Sequence, residues 1–420
     1  MPSADTAEDA TEYLLKDEPL PPPPPLSPAF AGPPPAPDTL PKDVVKRPKP
    51  APDIAALPPL TTNDPALWRR HLHWLLVFAL IPLSVSLVLK AEDKDWLKRR
   101  IDETMSHADA EEQQRFEQMA PTVESLDDFF KLFPRERLRG ALFARSSSAH
   151  WPIAGLATLV FLAFMMFLAS DGSANPLHVL SAGLITATVG VGFLLMIQGI
   201  ASWTEGRILV GRSIIVILFY ILKFIAFSYN AASDPENGFF LSFLGYTAGV
   251  GLCEELVKAV PLFFHRDEDN QKNWRGIFVW GLASGAGFGI AEGIMYSRRY
   301  YNGISGADIY AVRFISCVAL HAIWTGSVGI TLYLKRDMFN GLDTWHEWIS
   351  PILFVIGVPM ILHGLYDTCL KKDHSGIALL VALASFGYLA FLNSRLRGVD
   401  DRDAEKAMLR EYKRRRAASN

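Results

Sequence analysis

The sequence contains little cysteine: there are only three in 420 residues, Cys253, Cys317 and Cys369. An odd number without paired spacing excludes a disulfide framework or a zinc knuckle as the source of stability. All three lie within apolar runs, where a buried cysteine usually acts as a small apolar side chain. We therefore expect Cys253 to be a packing residue and not a nucleophile, although it adjoins Glu254.

The chain also lacks a large excess of charge of either sign, because its 41 Lys and Arg nearly balance its 44 Asp and Glu. Basic residues are scattered over loops and tails, so the sequence predicts no nucleic-acid binding. The short basic run from Lys413 to Arg416 is typical of a solvated helix end or one that contacts lipid headgroups. Soluble-protease signatures are missing, since there is no H-E-x-x-H pattern and no Ser/His/Asp order.

Half of the residues are hydrophobic, and they cluster in long runs. Helical runs of about 20 residues rise about 1.5 Å per residue and cross a hydrocarbon core of about 30 Å. The sequence therefore predicts an all-α, polytopic transmembrane helical bundle of eight or nine spans. The nine predicted spans are 72–89, 151–169, 177–200, 208–228, 239–264, 276–296, 310–334, 350–370 and 376–393.

Polar and proline-rich segments flank these runs. The first 70 residues hold 19 of the 28 prolines and few aromatics, a composition that predicts disorder. No cleavable signal peptide is expected, because the first apolar run begins far from the N-terminus, near Trp74. A capping pattern at Ser125 predicts a helix start within the charged segment after the first run. The predicted divisions are a disordered leader at 1–70, a first transmembrane anchor at 71–89, a small extramembrane helical insert at 90–150, a multi-span core at 151–393 with the chemical motifs in 239–370, and a charged tail at 394–420.

Loop charges bear on the membrane orientation. Arg69 and Arg70 precede the first span and favour a cytoplasmic N-terminus by the positive-inside rule. In the second half the basic residues of the two sides balance, with Arg298, Arg299 and Arg313 counted in the loops of one side. Nine spans place the two chain ends on opposite sides, so the alternative is an even number with one re-entrant segment.

Ionisable residues nonetheless occur within four of the apolar runs. A charge at bilayer depth costs roughly 2.5 to 3.5 kcal/mol on insertion scales, so such groups indicate a working site. In the fifth run, Glu254 and Glu255 precede Lys258 by four and three residues, and the lysine can reach either carboxylate. The alternative is a structural ion pair, which needs only one of the two acids.

The sixth run carries Phe288 and Glu292 one helical turn apart. Glycine at every fourth position from Gly281 to Gly293 predicts a smooth stripe that lets a neighbouring helix approach closely. We predict that Glu292 is a metal ligand or polarising acid and that Phe288 limits water around it. A hydrogen bond in helix packing is the alternative role for Glu292.

The seventh and eighth runs supply histidines. His321 stands alone in its run, where a histidine usually makes a hydrogen bond between helices. His363 and Asp367 are four apart, the spacing at which a carboxylate accepts the second imidazole N–H or contributes to a metal site; a hydrogen-bonded pair within the helix is the alternative. All these groups lie within about 10 Å of the bilayer centre at about 1.5 Å per residue, so we predict one shared pocket. Two imidazoles and several carboxylates suit a divalent ion such as zinc, with one position left open for water.

In this order on successive runs, the patterns resemble those of the PrsW-type intramembrane metalloproteases, within the wider superfamily of CAAX proteases and bacteriocin-processing enzymes. The resemblance covers about residues 208 to 393. The matching patterns are E-E-x-x-K at Glu254, Glu255 and Lys258, F-x-x-x-E at Phe288 and Glu292, an isolated histidine at His321, and H-x-x-x-D at His363 and Asp367.

The resemblance implies a multi-pass protease of the bacterial inner membrane that hydrolyses a peptide bond in a protein substrate within or beside the bilayer. It implies water activated by glutamate together with a divalent metal, zinc. Glu292 stands where CAAX enzymes usually carry histidine, so activation by a Glu/His pair without metal is the alternative. The implied roles are catalysis by Glu254, Glu255 and Lys258, metal contacts from Glu292, His321 and His363, and support from Asp367, which orients His363, and from Phe288.

Two further functions are compatible with buried acids and histidines. A proton-coupled transporter uses such groups as a relay, but no inverted repeat or pair of broken helices is visible, which favours the protease. A non-catalytic membrane scaffold that presents its proline-rich leader is the third possibility.

Overall fold

The computed structural model describes residues 65–89, 96–120, 123, 125–169, 173–264 and 274–419. The helices described below belong to one compact unit, apart from the end of the last helix. The described residues form helices and no strand, which confirms the all-α prediction. The predicted disorder of the leader concerns residues that, up to 64, lie outside the described part of the chain.

Fifteen α-helices are present in the described residues, and several are joined without a break by π-helical turns. The π-helical turns are Thr186–Gly190, Tyr246–Gly251, Ser297–Tyr301 and Val312–Cys317. In chain order the helices are α1 Pro65–Leu89, α2 Trp96–Ser106, α3 Ala110–Met119, α4 Leu126–Lys131, α5 His150–Leu168, α6 Pro176–Ile185, α7 Val191–Trp203, α8 Ile214–Ser233, α9 Phe239–Gly245, α10 Leu252–Phe264, α11 Trp274–Tyr296, α12 Ala307–Ala311, α13 Val318–Leu334, α14 Ile349–Lys371 and α15 Ser375–Ser419.

Nine helical stretches of the described chain are long and apolar enough to cross a membrane, which confirms the predicted spans. The fourth differs most from its predicted range of 208–228, because α8 begins only at Ile214. Gly206, at φ +68°, turns the chain after α7 in the left-handed conformation that favours glycine. The nine are His71–Val88, His150–Leu168, Pro176–Trp203, Ile214–Ser233, Phe239–Phe263, Trp274–Tyr301, Ala307–Leu334, Trp345–Lys371 and Ser375–Leu396.

Three short helices, α2 to α4, occupy the segment predicted as the insert. The Ser125 hydroxyl accepts a hydrogen bond from the Asp128 backbone N–H at 3.1 Å, which caps α4 at the predicted start. Beyond α4, the backbone N–H of Leu138 donates to the Gly303 carbonyl at 2.8 Å. The insert thus contacts the turn that joins the sixth span to the seventh.

The sixth and seventh spans form the centre of the bundle. In their apolar windows 78% and 94% of the residues are buried, against 39% or less in every other span. The glycine stripe of α11 faces α13: a Cβ added at Gly285 would overlap the His321 carbonyl oxygen, and one at Gly281 would lie 2.5 Å from that of Thr325. The predicted close approach of a neighbouring helix is therefore confirmed, and α13 is that helix.

Candidate functional site

The predicted residues of the fifth to eighth spans meet in one buried cluster between α10, α11, α13 and α14. Five of its ionisable residues are at most 7% exposed. Buried charges cost several kcal/mol each unless they are paired and hydrogen-bonded, so their mutual contacts decide whether the cluster is stable. The five are Glu254, Glu255, Lys258, His321 and His363.

Lys258 lies at the middle of this cluster. Its ammonium nitrogen is 2.6 Å from Glu255 Oε1, 3.0 Å from His321 Nδ1 and 3.7 Å from Glu254 Oε2. An ammonium group only donates hydrogen bonds, so His321 Nδ1 accepts one. The predicted reach of Lys258 to both acids is present, and a positive charge already occupies the space that they enclose with His321.

His363 contacts three carboxylates. Its Nδ1 is 2.9 Å from Glu255 Oε1, to which it donates, since a carboxylate only accepts. Its Nε2 lies 3.3 Å from Asp367 Oδ2 and 3.7 Å from Glu254 Oε2. Asp367 is thus near enough to orient the imidazole, as the spacing in α14 predicts. With 26% of its side chain exposed, Asp367 is the most accessible member of the cluster.

His321 is held from the other side by Glu292. His321 Nε2 lies 2.9 Å from Glu292 Oε2, while Glu292 Oε1 makes an ion pair with Arg313. The assignment of Arg313 to a loop is wrong, because the residue lies within the span Ala307–Leu334 and its side chain is only 12% exposed. Its charge is therefore part of the site and does not report on membrane orientation.

Aromatic rings enclose the cluster. The ring of Phe288 is buried, with its centroid 5.3 Å from that of His321 and 4.7 Å from the Lys258 ammonium nitrogen. The contact with Lys258 supplies a cation–π attraction, and the role of Phe288 in limiting water around Glu292 stays a prediction. Trp324 stacks on His363 at 4.4 Å between ring centroids, with 21° between the planes.

The donor set fits a divalent metal. Glu254, His321 and His363 each present a ligand atom, and these atoms lie within 4.8 Å of one another. Oxygen and imidazole nitrogen donors of this kind are typical of zinc sites. Glu254 Oε2 and Glu255 Oε2 are also buried without a hydrogen-bond partner among the described residues, which is costly unless a further ligand binds there. The set contains Glu254 and not Glu292, whose role as a ligand stays a prediction.

Two residues of the cluster are not among the predicted site residues. Trp324 follows His321 by three residues and so shares its helical face, but an aromatic residue in an apolar run carries no functional signal by itself. Arg313 did carry one, because a charge falls inside the predicted span 310–334.

Ser385 of α15 fixes the position of Trp324. The indole N–H donates to Ser385 Oγ at 2.9 Å, and both groups are buried. We expect Ser385→Ala to lower the midpoint of thermal unfolding in detergent, because an unpaired buried N–H costs about 1 to 3 kcal/mol. The control is Ser394→Ala at an exposed position of the same helix. Equal midpoints for the two variants would contradict the role of this hydrogen bond.

A family model described as PrsW family intramembrane metalloprotease matches residues 179–392. The match includes every predicted site residue, and it confirms the resemblance inferred from the four patterns. No curated protein and no solved structure matches the chain.

Proposed function

The chain belongs to the PrsW family of intramembrane metalloproteases, and we propose that the buried cluster between α10, α11, α13 and α14 is its proteolytic site. The protein is accordingly a multi-pass membrane protease. The observation that carries the proposal is the convergence of three ligand atoms within 4.8 Å, in a cluster where a buried oxygen of Glu254 and one of Glu255 make no hydrogen bond among the described residues. Simple helix packing would not require such a concentration of buried charge.

Zinc is the ion that this donor set favours. Glu254, His321 and His363 would hold it, because their donor atoms already converge. A bound zinc ion supplies Lewis acidity, which polarises a peptide carbonyl and makes water more acidic. The role of Glu292 predicted from sequence is less well supported than that of Glu254, since both Glu292 oxygens are taken by Arg313 and His321.

Glu255 is suited to accept the proton of the attacking water. Its Oε1 is fixed by Lys258 and His363 at 2.6 and 2.9 Å, whereas its buried Oε2 has no hydrogen-bond partner among the described residues. Oε2 takes a proton from water as the water oxygen bonds to the carbonyl carbon. It then returns the proton to the amide nitrogen as the C–N bond breaks, leaving a carboxylic acid and an amine.

The substrate class follows from the position of the cluster. All of its residues lie within spans that are long and apolar enough to cross the bilayer. Asp367 is the most accessible member of the cluster, so we expect substrate and water to reach His363 from its side. We therefore expect the scissile bond to belong to a membrane protein, within the bilayer or close to its surface.

The test compares cells that express the wild-type chain with cells that express Glu255→Gln. New protein N-termini are labelled in isolated membranes and identified by mass spectrometry. We expect a set of N-termini in or beside apolar segments of other membrane proteins that appears only with the wild-type chain. Identical sets from the two chains would contradict the proposed site.

Metal binding provides an independent prediction. We expect the purified full-length protein to retain about one zinc ion per chain, and His321→Ala to lose most of it because one of three protein ligands is missing. Elemental analysis after gel filtration measures the ratio. His346→Ala, at an exposed histidine outside the cluster, is the matched control. Equal zinc contents in the two variants would exclude His321 as a ligand.

A further inference from the structure

Arg313 is a cation with only 12% of its side chain exposed, and none of the four family patterns includes it. Its guanidinium pairs with Glu292 and lies 4.1 Å from the centroid of the Tyr296 ring. An arginine inside a span is expensive and usually has a functional partner. Arg313 is connected to the site through Glu292, which contacts both Arg313 and His321.

The π-helical turn Val312–Cys317 brings Arg313 to the same face as His321. At about 100° per residue, the eight steps from Arg313 to His321 would turn an α-helix by about 800°, leaving the two side chains about 80° apart. A π-helical turn takes up about one residue more than an α-helical turn, so the same eight steps make close to two full turns. Arg313 and His321 therefore both face Glu292 on α11.

Glu292 and Lys258 together determine which nitrogen of His321 carries hydrogen. The Oε1 of Glu292 is engaged by Arg313, so Oε2 alone faces the imidazole, 2.9 Å from Nε2. A carboxylate oxygen only accepts, so the neutral imidazole is protonated at Nε2. The lone pair then resides on Nδ1, the atom 3.0 Å from the Lys258 ammonium in the middle of the cluster.

From this geometry we infer that Arg313 is a positioning residue. It orients the Glu292 carboxylate, and Glu292 holds His321 in the tautomer whose lone pair lies on Nδ1, the atom that accepts a hydrogen bond from Lys258 in the middle of the cluster. The inference rests on the proposed metal centre, and it makes Glu292 an orienting partner of a ligand instead of a ligand. Outer partners of this kind typically change metal affinity by about 10- to 100-fold.

The experiment uses the purified full-length protein in detergent with five variants. Arg313→Met removes the cation, Arg313→Lys restores a charge, and Arg395→Met is a control at an exposed arginine outside the cluster. Arg313→Met alone leaves the charge of Glu292 without its partner and can fail to fold for that reason. The double variant Arg313→Met/Glu292→Gln removes both charges and avoids this.

Zinc affinity is measured by competition with a chromogenic chelator. The His321 tautomer is read in the metal-free protein from nitrogen-15 histidine spectra, with His321→Gln to assign the signals.

We expect Arg313→Met and the double variant to bind zinc about 10- to 100-fold more weakly. In their nitrogen-15 spectra His321 should no longer give the signal of the Nε2–H tautomer alone. Arg313→Lys should recover most of both properties, and Arg395→Met should match the wild type. Wild-type affinity together with an unchanged Nε2–H signal in the double variant would overturn the inference. If the wild type binds no zinc, the proposed metal centre fails, while the tautomer signals still decide the role of Arg313.

Discussion

Glu255→Gln is expected to reduce proteolysis by about 10²- to 10⁴-fold while the protein still inserts into the membrane. The amide keeps the size of the carboxylate, and its oxygen can still accept hydrogen bonds from Lys258 and His363. It cannot act as a base, so no group at the position of Oε2 takes the proton from water. Cleavage of a membrane substrate in proteoliposomes measures the rate, and gel filtration checks that the variant is folded.

His363→Ala is expected to have a similar effect, because His363 is both a donor in the converging set and a partner of Glu255. The control for both variants is Cys253→Ala on the same helix as Glu255. The thiol is buried and free, and its removal should leave the rate within a few-fold of the wild type if it only fills space. Undiminished proteolysis by Glu255→Gln and by His363→Ala would refute the assignment of the site.

Gly285→Ala is expected to have the second large effect, on both stability and activity. The added Cβ would overlap the backbone carbonyl oxygen of His321, and a backbone atom cannot move aside as a flexible side chain can. Overpacking of a close-packed interface costs typically about 1 to 3 kcal/mol, and any relief must shift α13 together with His321. We expect a lower midpoint of thermal unfolding and a loss of proteolysis in the fraction that stays folded.

Gly357→Ala is the matched control for this substitution. Gly357 lies in α14, the helix that carries His363, and an added Cβ would meet nothing within 4 Å. Alanine is favoured over glycine within a helix by about 0.5 to 1 kcal/mol, so this variant should be as stable as the wild type or more so. If the midpoint of thermal unfolding changes by the same amount and in the same direction in the two variants, close packing at Gly285 does not decide stability.

The elements that could be predicted are those encoded locally along the chain. The spans follow from runs of apolar residues, because the bilayer thickness sets the length of helix that they need. The proximity of the His363 and Asp367 side chains follows from helical geometry alone, because residues four apart share a helical face. For the same reason the glycines of α11 form one stripe. Four ionisable patterns in successive spans predicted a site, because buried charge is too costly to recur without one. Their resemblance to the patterns of the PrsW family indicated the family.

The arrangement within the pocket could not be predicted in this way. The rotation of each helix about its own axis decides whether Glu254 or Glu292 faces the two histidines, and that rotation depends on packing against other helices. The π-helical turn before His321 alters the angular relation between residues on either side of it, which brings Arg313 beside Glu292. The contacts of Trp324 with His363 and Ser385 likewise join residues that lie far apart in the sequence.

The amino-acid sequence by itself therefore determined that the protein is a helical membrane protein and which polar residues are buried with its spans. Only the tertiary structure decided which of those residues share hydrogen bonds and which three present converging ligand atoms. The physical reason is that hydropathy and helical spacing act within one helix, whereas a coordination site depends on distances of a few ångströms between atoms of different helices.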